Sequence, residues 1–333
     1  MKILIATGIY PPHAGGPSYY AKSLREELKL LGHKVAVRTF TLERWLPTGM
    51  RHAVYFLKTL PAYLWADATI VMDTFSVAVP VALMKKWFGK KMIIRTGGDF
   101  LWEQYVERTG NKVLFSEFYT GHRYFNKKEQ TIFRLMQWAL SLADHIVFNS
   151  EYQRRVWKEP YNLDAKETSI IENAFQKKTD EAVQPSRKDF VCIVRDLKWK
   201  NTDTLMRAFV LAKQKAPTAL LDMRFDVSHE ETLTALKRCY CAILVSLGDI
   251  SPNLVSEALS YGKPVILTRE TGLTERLGDI VLYVDPLDEV AITDAVVQMC
   301  NDTIYKTFQG RVQEFSFVHS YKDIAREFTN LLV

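Results

Sequence analysis

Two acidic residues, Asp249 and Glu257, lie eight positions apart around the start of a short helix. Ser251-Pro252-Asn253 is a typical helix start signal, and apolar residues continue the helix after it. A helix N-terminus presents backbone N–H groups and the positive end of the dipole, so it attracts an anion such as phosphate. Carboxylates aimed at that anion would repel it, whereas they can accept hydrogen bonds from sugar hydroxyls. The stretch predicts a site for a phosphorylated sugar. The alternative that these residues leave open is a capped surface helix with solvated acids.

Apolar runs flank this helix on both sides, Ala242–Val245 before it and Val265–Leu267 after it. Strand, helix, glycine turn and strand form one unit of a parallel sheet. The helix N-terminus then lies at the carboxyl edge, where open α/β sheets bind ligands. In this setting the stretch resembles the E-x7-E segment of retaining nucleotide-sugar glycosyltransferases of the GT-B fold, family 4. Asp249 stands at the first Glu of that segment and Glu257 at the second.

The resemblance implies a role for each part of the segment. Asp249 is expected to face the transferred sugar, and Glu257 is expected to bind the nucleotide ribose. The backbone N–H groups at the helix start, those of Asn253, Leu254 and Val255, are expected to meet the phosphates.

A glycine-rich loop follows the first strand, which is predicted over Lys2–Ala6. Gly15 and Gly16 let the backbone approach a ligand closely and precede an amphipathic helix from about Ser18, so this region forms a βαβ unit. A loop that merely turns the chain is the alternative. The opening of the chain is similar to that of family 4 enzymes, which implies that both glycines border the donor phosphate and the transferred sugar.

A second acidic candidate follows the strand predicted over Lys91–Arg95. Two glycines and Asp99 come directly after that strand, which predicts that Asp99 lies at a cleft rather than in the core. The alternative is a cap for the next helix. The run around Asp99 resembles the G-D-Y-x-W-E run on the acceptor side of the family, which implies acceptor-side roles for Asp99 and Glu103. The histidine that related enzymes often carry near this turn is missing.

Two cations follow the strand predicted over Asp189–Val194. Arg195 can bind a diphosphate through its planar guanidinium, and Lys200 can bind it as a point charge. Two surface cations near a helix start are the alternative. The spacing matches the G-R-x4-K motif of the family, which holds the leaving nucleotide's phosphates, although Val194 replaces the usual glycine. The sequence contains no Asp-x-Asp pair, so we expect no metal ion and no cofactor beside the nucleotide sugar.

Basic and aromatic residues alternate between Asn111 and Leu140. This mixture suits the interface of an anionic membrane, although a helical pair packed on the sheet with solvated lysines is the alternative. The residues that carry the pattern are Lys112, Arg123, Lys127, Lys128 and Arg134 with Phe115, Phe118, Tyr119, Tyr124, Phe125 and Phe133.

A polar stretch over residues 176–188 marks the predicted domain boundary. We expect two Rossmann-like α/β domains facing a cleft, an acceptor-side domain over 1–178 and a nucleotide-sugar domain over 187–333. Relative to the family the second domain is shortened, because the strand Leu220–Phe225 runs almost directly into the capping box at Ser228 and Glu231. The last helix, Ser320–Leu332, can cross back to the first domain in the resembling fold.

The composition is that of an ordinary soluble globular chain. The 333 residues are 47% hydrophobic and 25% charged, which suffices for two cores. The net charge of +6 suits an anionic nucleotide or an acidic membrane surface, but no pattern of a nucleic-acid-binding module appears. Four cysteines without zinc-ligand spacing predict buried, reduced thiols. No run reaches the roughly 18 apolar residues of a spanning helix, and the opening strand is too short for a signal peptide, so a cytosolic location is expected.

The sequence thus predicts a metal-independent retaining glycosyltransferase that uses a nucleotide-diphosphate sugar and a glycan or lipid-linked acceptor. Two alternatives stay open at this point. One is a nucleotide-sugar epimerase or hydrolase of the same fold, and the other is a non-catalytic protein that binds sugar nucleotides.

Overall fold

The computed structural model describes residues 1–13, 15–40, 45–47, 49–121, 125–179 and 181–332. The chain divides into two compact units. Unit 1 comprises Met1–Leu101, His122–Asn173 and Ser320–Val333, and unit 2 comprises Trp102–Gly121 and Ala174–His319.

Strands and helices alternate through the first half of the chain. Its elements are β1 Lys2–Thr7, α1 Gly16–Leu30, β2 Lys34–Thr39, α2 Met50–Trp65, β3 Ala68–Val71, α3 Ala78–Phe88, β4 Lys91–Arg95, α4 Phe100–Thr109, α5 Lys127–Leu142, β5 His145–Phe148, α6 Glu151–Lys158 and β6 Thr168–Ile170.

The second half repeats this alternation. Its elements are β7 Lys188–Val194, α7 Thr202–Lys215, β8 Ala219–Phe225, α8 His229–Arg238, β9 Cys241–Leu244, α9 Asn253–Ser260, β10 Val265–Thr268, α10 Thr274–Leu277, β11 Leu282–Val284, α11 Glu289–Met299, α12 Asp302–Glu314 and α13 Tyr321–Leu332. A short 3-10 turn over Lys198–Lys200 precedes α7.

Unit 1 is built on a six-stranded parallel sheet in the order β2-β1-β3-β4-β5-β6. Helices cover the sheet, so the central strands are continuous apolar runs. Ile3–Ala6 and Ile93–Ile94, for example, are buried. The strand order reverses between β1 and β3, and the loop with Gly15 and Gly16 therefore leaves the sheet at the switch point, where open sheets bind ligands.

Unit 2 is built on a five-stranded parallel sheet in the order β11-β10-β9-β7-β8. Its switch point lies between β7 and β9, since the chain proceeds outward from β7 to β8 on one side and from β9 to β11 on the other. The loops after β7 and β9 carry Arg195, Lys200 and Asp249. The topology therefore brings the predicted phosphate-binding cations and the predicted sugar-binding acid to one edge of the sheet.

Local signals located most elements to within about two residues. The strand over Lys91–Arg95 has the predicted bounds, the strand predicted over Leu220–Phe225 begins one residue earlier at Ala219, and the capping box of Ser228 and Glu231 starts α8. Three helices, α2, α10 and α12, were not predicted. Apolar residues lie on both sides of α2 and the helix contains Pro61, so the sequence lacks the polar outward face and the helix propensity that indicate a surface helix.

The sequence predicts a single domain boundary at residues 176–188, whereas the chain passes between the two units more than once. Trp102–Gly121, predicted as part of the first domain, belongs to unit 2. The Trp102 ring contacts Trp199 at 5.5 Å, and the backbone N–H of Phe115 donates to the Leu247 carbonyl at 3.0 Å. These contacts are long-range, so propensity in the segment itself could not reveal them.

The C-terminal helix α13 packs on α1 within unit 1. Tyr321 lies against Tyr20 with ring centroids 5.6 Å apart, and the buried side chains of α13 include Ile324 and Phe328. Of the helices in the described ranges, none is both long and apolar enough to cross a membrane.

Candidate functional site

Three loops at the carboxyl edge of the unit 2 sheet are joined by backbone hydrogen bonds. The Leu247 N–H donates to the Trp199 carbonyl at 2.9 Å, and the Asp249 N–H donates to the Glu270 carbonyl at 2.8 Å. The Glu270 carboxylate also accepts from the Ser116 N–H at 3.1 Å. The loops after β7, β9 and β10 and the segment around Ser116 therefore form one network.

Lys200 and Asp249 form an ion pair at the centre of this network. Lys200 Nζ lies 2.5 Å from Asp249 Oδ2, and the two side chains are only 11% and 12% exposed. Ser246 Oγ donates to the same carboxylate oxygen at 3.2 Å. Lys200 Nζ also lies 4.2 Å from the centroid of the Trp199 ring, a cation–π contact. An ammonium has three N–H donors, so Lys200 can hold Asp249 and still donate to a bound anion.

Arg195, the other predicted phosphate ligand, is exposed. Its guanidinium carbon lies 5.9 Å from the Trp199 ring centroid, and within the described ranges no carboxylate forms an ion pair with it. Val194, which stands where the resembling motif has glycine, is buried in β7 and 7% exposed. Its side chain thus points into the sheet core.

The N-terminus of α9 opens at the same edge. Pro252 is the N-cap residue, and no described side chain caps the helix, in contrast to the predicted Ser or Asn cap. Leu254 and Val255 are buried, while Asn253 is half-buried. The positive end of the α9 dipole is therefore not neutralised by a capping side chain.

Glu257 lies one turn further along α9 and contacts His229 of α8. His229 Nε2 lies 2.9 Å from Glu257 Oε1, and the Glu257 side chain is 14% exposed. The hydrogen bond to Glu257 raises the pKa of His229 above its ordinary value, against the opposing effect of partial burial. The predicted ribose ligand therefore has a titratable partner.

Gly248 marks the closest approach of the loop after β9 to the segment around Ser116. A Cβ atom at Gly248 would lie 2.5 Å from Phe115 Cβ and 3.0 Å from Trp102 Cη2. Real Cβ atoms do not approach neighbours so closely, so any larger residue must displace the loop or the segment.

We expect Gly248→Ala to lower the free energy of unfolding by about 1–3 kcal/mol, the usual cost of overpacking a core. Thermal or urea denaturation measures the loss. Gly262→Ala is a poor control because its φ of 66° favours glycine, whereas Gly310→Ala meets no atom within 4 Å. Equal stability of the Gly248→Ala and Gly310→Ala proteins would contradict the close approach.

The two glycines predicted to border the donor lie at the start of α1 in unit 1. Gly15 is the N-cap residue, and its φ of 127° is a backbone conformation that residues other than glycine rarely adopt. Gly16 begins the helix, Pro17 follows it, and no described side chain caps the terminus. This geometry positions exposed backbone at the carboxyl edge of the unit 1 sheet.

Asp99 is in the core of unit 1, which corrects the prediction that it lies at a cleft. It is 1% exposed, and its Oδ2 accepts a hydrogen bond from Trp157 Nε1 at 2.8 Å. Trp157 is itself fully buried, and its indole N–H needs an acceptor. Glu103, the second acceptor-side candidate, is half-buried and belongs to unit 2.

The basic and aromatic residues between Asn111 and Leu140, which were predicted to suit a membrane interface, are not all exposed. Phe115 and Phe118 are buried in unit 2, and Lys112 pairs there with Asp203 at 2.8 Å. Residues 111–121 form loops and turns, so the alternative of a helical pair is not met there either. Lys127, Lys128 and Arg134 are exposed on α5 of unit 1. Arg123 and Tyr124 lie outside the described residues.

The burial of the cysteine side chains matches the prediction for three of the four. All four are free, and three of them are buried, while Cys300 is half-buried. Burial raises the pKa of the Cys192 and Cys239 thiols to about 12, so both are protonated at neutral pH. Among the residues with described positions, no three His, Cys, Asp or Glu side chains cluster as metal ligands do.

Sequence reasoning missed four residues of the site network. They are Trp199, His229, Ser246 and Glu270. The sequence did show that His229 follows the capping residue of α8, but not that it faces Glu257, which is 28 positions away. Such a pairing depends on how α8 and α9 pack, and no local pattern signals it.

Solved structures with the same fold align with this chain over nearly its whole length. Sucrose-phosphate synthase from Thermosynechococcus elongatus is 15% identical over 99% of this chain and 98% of its own, with a TM-score of 0.75. WaaG, a glycosyltransferase involved in lipopolysaccharide biosynthesis, is 11% identical over 99% of each chain, with a TM-score of 0.72. HepE from Anabaena, in complex with UDP and glucose, is 16% identical over 100% of this chain and 99% of its own, with a TM-score of 0.69.

These similarities establish the predicted α/β fold with two parallel sheets, the GT-B fold of glycosyltransferases. No protein-family model and no curated protein sequence matches the chain.

Proposed function

We propose that the chain is a retaining glycosyltransferase that moves a sugar from a nucleoside diphosphate sugar to a glycan or lipid-linked acceptor. The observation that carries the proposal is the Lys200–Asp249 pair at the switch point of the unit 2 sheet, beside the N-terminus of α9. Cations, a helix dipole and a carboxylate together fit a diphosphate that is joined to a sugar. The solved complexes of HepE with UDP and with UDP-glucose support this ligand class.

Each residue of the unit 2 site receives one role in this proposal. Arg195 and Lys200 neutralise the diphosphate, assisted by the N–H groups at the start of α9 (Asn253, Leu254 and Val255). Glu257 accepts hydrogen bonds from the ribose, and Asp249 accepts them from the transferred sugar. Charge develops on the diphosphate as it departs, so groups already aimed at that position lower the barrier.

The proposed reaction needs neither a metal ion nor a cofactor, because the two cations and the α9 dipole supply the positive charge. Retention of configuration follows if the acceptor attacks from the face that the phosphate leaves. We assign no covalent nucleophile. The leaving diphosphate can receive the proton of the acceptor hydroxyl, which balances the step.

Residues of the first half of the chain complete the proposal. Gly15 and Gly16 let the backbone approach the donor. Glu103 remains the acceptor-side candidate, whereas Asp99, held by Trp157, acts as a positioning residue for the turn after β4.

We also propose that the reaction takes place at the cytosolic surface of an anionic membrane. The four free cysteines support a reducing compartment. The positive net charge supports an anionic surface.

Labelled donor distinguishes the proposal from its two rivals. Calorimetry with UDP, GDP and ADP first identifies the nucleotide, and the matching labelled sugar donor is then incubated with and without lipid-linked and free glycan acceptors. We expect transfer only when acceptor is present. A changed sugar nucleotide or free sugar without acceptor would indicate an epimerase or hydrolase. Tight donor binding without turnover on any acceptor would indicate a non-catalytic protein.

A further inference from the structure

The solvent-facing side of α2 is apolar. Tyr55, Thr59, Ala62 and Tyr63 are the buried residues of this 16-residue helix. The opposite side is exposed, and one lysine, Lys58, is its polar member. Its apolar stripe consists of Met50, Val54, Leu57, Pro61, Leu64 and Trp65, which repeat at helical spacing along the full length. Exposed sides of helices in soluble domains normally carry charged and polar residues, so this reversal needs an explanation.

The end of α3 extends the stripe sideways. Trp87 is 61% exposed and Phe88 is 44% exposed. The Trp87 ring contacts Phe56 of α2 with centroids 5.4 Å apart. We call the surface formed by Leu57, Pro61, Leu64, Trp65, Trp87 and Phe88 the α2–α3 face.

The charged side chains of α2 and α3 themselves are all basic, whereas one exposed acid, Asp67, lies two residues beyond the end of α2. Neither α2 nor α3 contains Asp or Glu. Lys58 and Lys86 are exposed beside the apolar residues, and Lys85 is paired with Asp144 at 2.5 Å. Lys90 donates to the Ala66 carbonyl at 2.5 Å beyond the end of α2. An apolar surface edged mainly by lysines is complementary to a surface that is negative outside and apolar beneath.

We infer that the α2–α3 face lies on an anionic lipid bilayer. A helix of this length, about 24 Å, can lie in the plane of the interface with its apolar stripe among the upper acyl carbons. Exposed Trp65 and Trp87 are the residue type that collects at this depth, and Lys86 reaches lipid phosphates. Lys58 donates one hydrogen bond to the Thr39 carbonyl, and its ammonium, with three N–H donors, can also bind a phosphate. A second copy of the chain fits less well, since a twofold contact would oppose two lysine-edged surfaces. The inference deepens the proposed membrane association by naming the surface.

Sedimentation with vesicles tests the inference on the full chain without a sugar donor, so its failure is distinguishable from failure of the transferase proposal. Vesicles of phosphatidylcholine alone are compared with vesicles that also contain phosphatidylglycerol. We expect binding to the acidic vesicles that weakens as salt is added. The Leu57→Gln/Trp87→Gln protein should bind about tenfold or more weakly, because it loses two exposed apolar anchors.

Two variants make the result specific. Met206→Gln/Val210→Gln removes comparable exposed apolar side chains from α7 and should bind like the wild type. Lys127→Glu/Lys128→Glu changes the exposed start of α5 and should bind more strongly than the Leu57→Gln/Trp87→Gln protein. If the Leu57→Gln/Trp87→Gln protein does not fold, as judged by thermal denaturation, Lys58→Glu/Lys86→Glu replaces it and should likewise weaken binding to acidic vesicles about tenfold or more.

Three outcomes would overturn the inference. They are equal binding of the wild type to both kinds of vesicle, unchanged binding when the α2–α3 face is altered, and reversible dimerisation through this face in place of vesicle binding. The last would show that a second copy covers it.

Discussion

Replacing Lys200 with alanine is expected to reduce turnover about 10²–10³-fold, the usual loss for one preorganised electrostatic group. In the proposed reaction Lys200 stabilises charge on the departing diphosphate. Its ion pair with Asp249, at 2.5 Å, holds the lysine side chain in place before the donor binds. The kcat of the purified protein with the identified donor measures the effect. Added EDTA should leave wild-type turnover unchanged, and inactivation by EDTA with rescue by Mn²⁺ would contradict metal independence.

The stability of Lys200→Ala must be measured alongside its activity. Removing one member of a largely buried pair leaves Asp249 without its cation, and such losses reach about 3–5 kcal/mol. The Lys200→Ala/Asp249→Asn protein removes the unpaired charge, so it should recover stability but not turnover. Arg195→Ala is a cleaner probe because that side chain is exposed, and it should lose activity at unchanged stability. Recovery of turnover in the double variant would show that Lys200 acts only on the fold.

Glu257→Gln is expected to weaken the binding of bare nucleoside diphosphate about tenfold, equivalent to ~1.4 kcal/mol. A carboxylate accepts stronger hydrogen bonds from ribose hydroxyls than a neutral amide does. Calorimetry with the preferred nucleoside diphosphate measures the change. Asp249→Asn is the matched control, because Asp249 is proposed to contact the sugar. The Asn oxygen can still accept from Lys200 and keep it in place, so binding of a ligand that has no sugar should change little. Equal losses in both variants would show that the two roles are wrongly divided.

The partner of Glu257 adds a dependence on pH. The hydrogen bond to Glu257 raises the pKa of His229, so their interaction contributes stability fully below the unfolded value of about 6.5. That contribution disappears as the pH rises through the raised folded value. The His229→Ala protein should therefore melt below the wild type in acidic buffer and approach it in alkaline buffer. A deficit that grows with pH would contradict the direction of the shift.

Local signals in the sequence predicted much of the fold and the location of the unit 2 site. Buried parallel strands are continuous apolar runs, and caps such as Ser228 with Glu231 start helices. Because parallel strands place their following loops at one edge, the position of Arg195, Lys200 and Asp249 after two strands was enough to bring them together. The Lys200–Asp249 distance agrees with that reasoning.

Only the tertiary structure decided which side chains face each other across long separations. Asp99 follows a strand as a ligand-binding acid would, but Trp157, 58 positions away, takes its carboxylate into the core. The segment around Phe115 has the composition of a membrane surface, yet unit 2 buries its aromatic rings. Composition reports how apolar a segment is, whereas packing determines whether that apolar surface is covered. For the same reason, only the structure shows that α2 has an exposed apolar side.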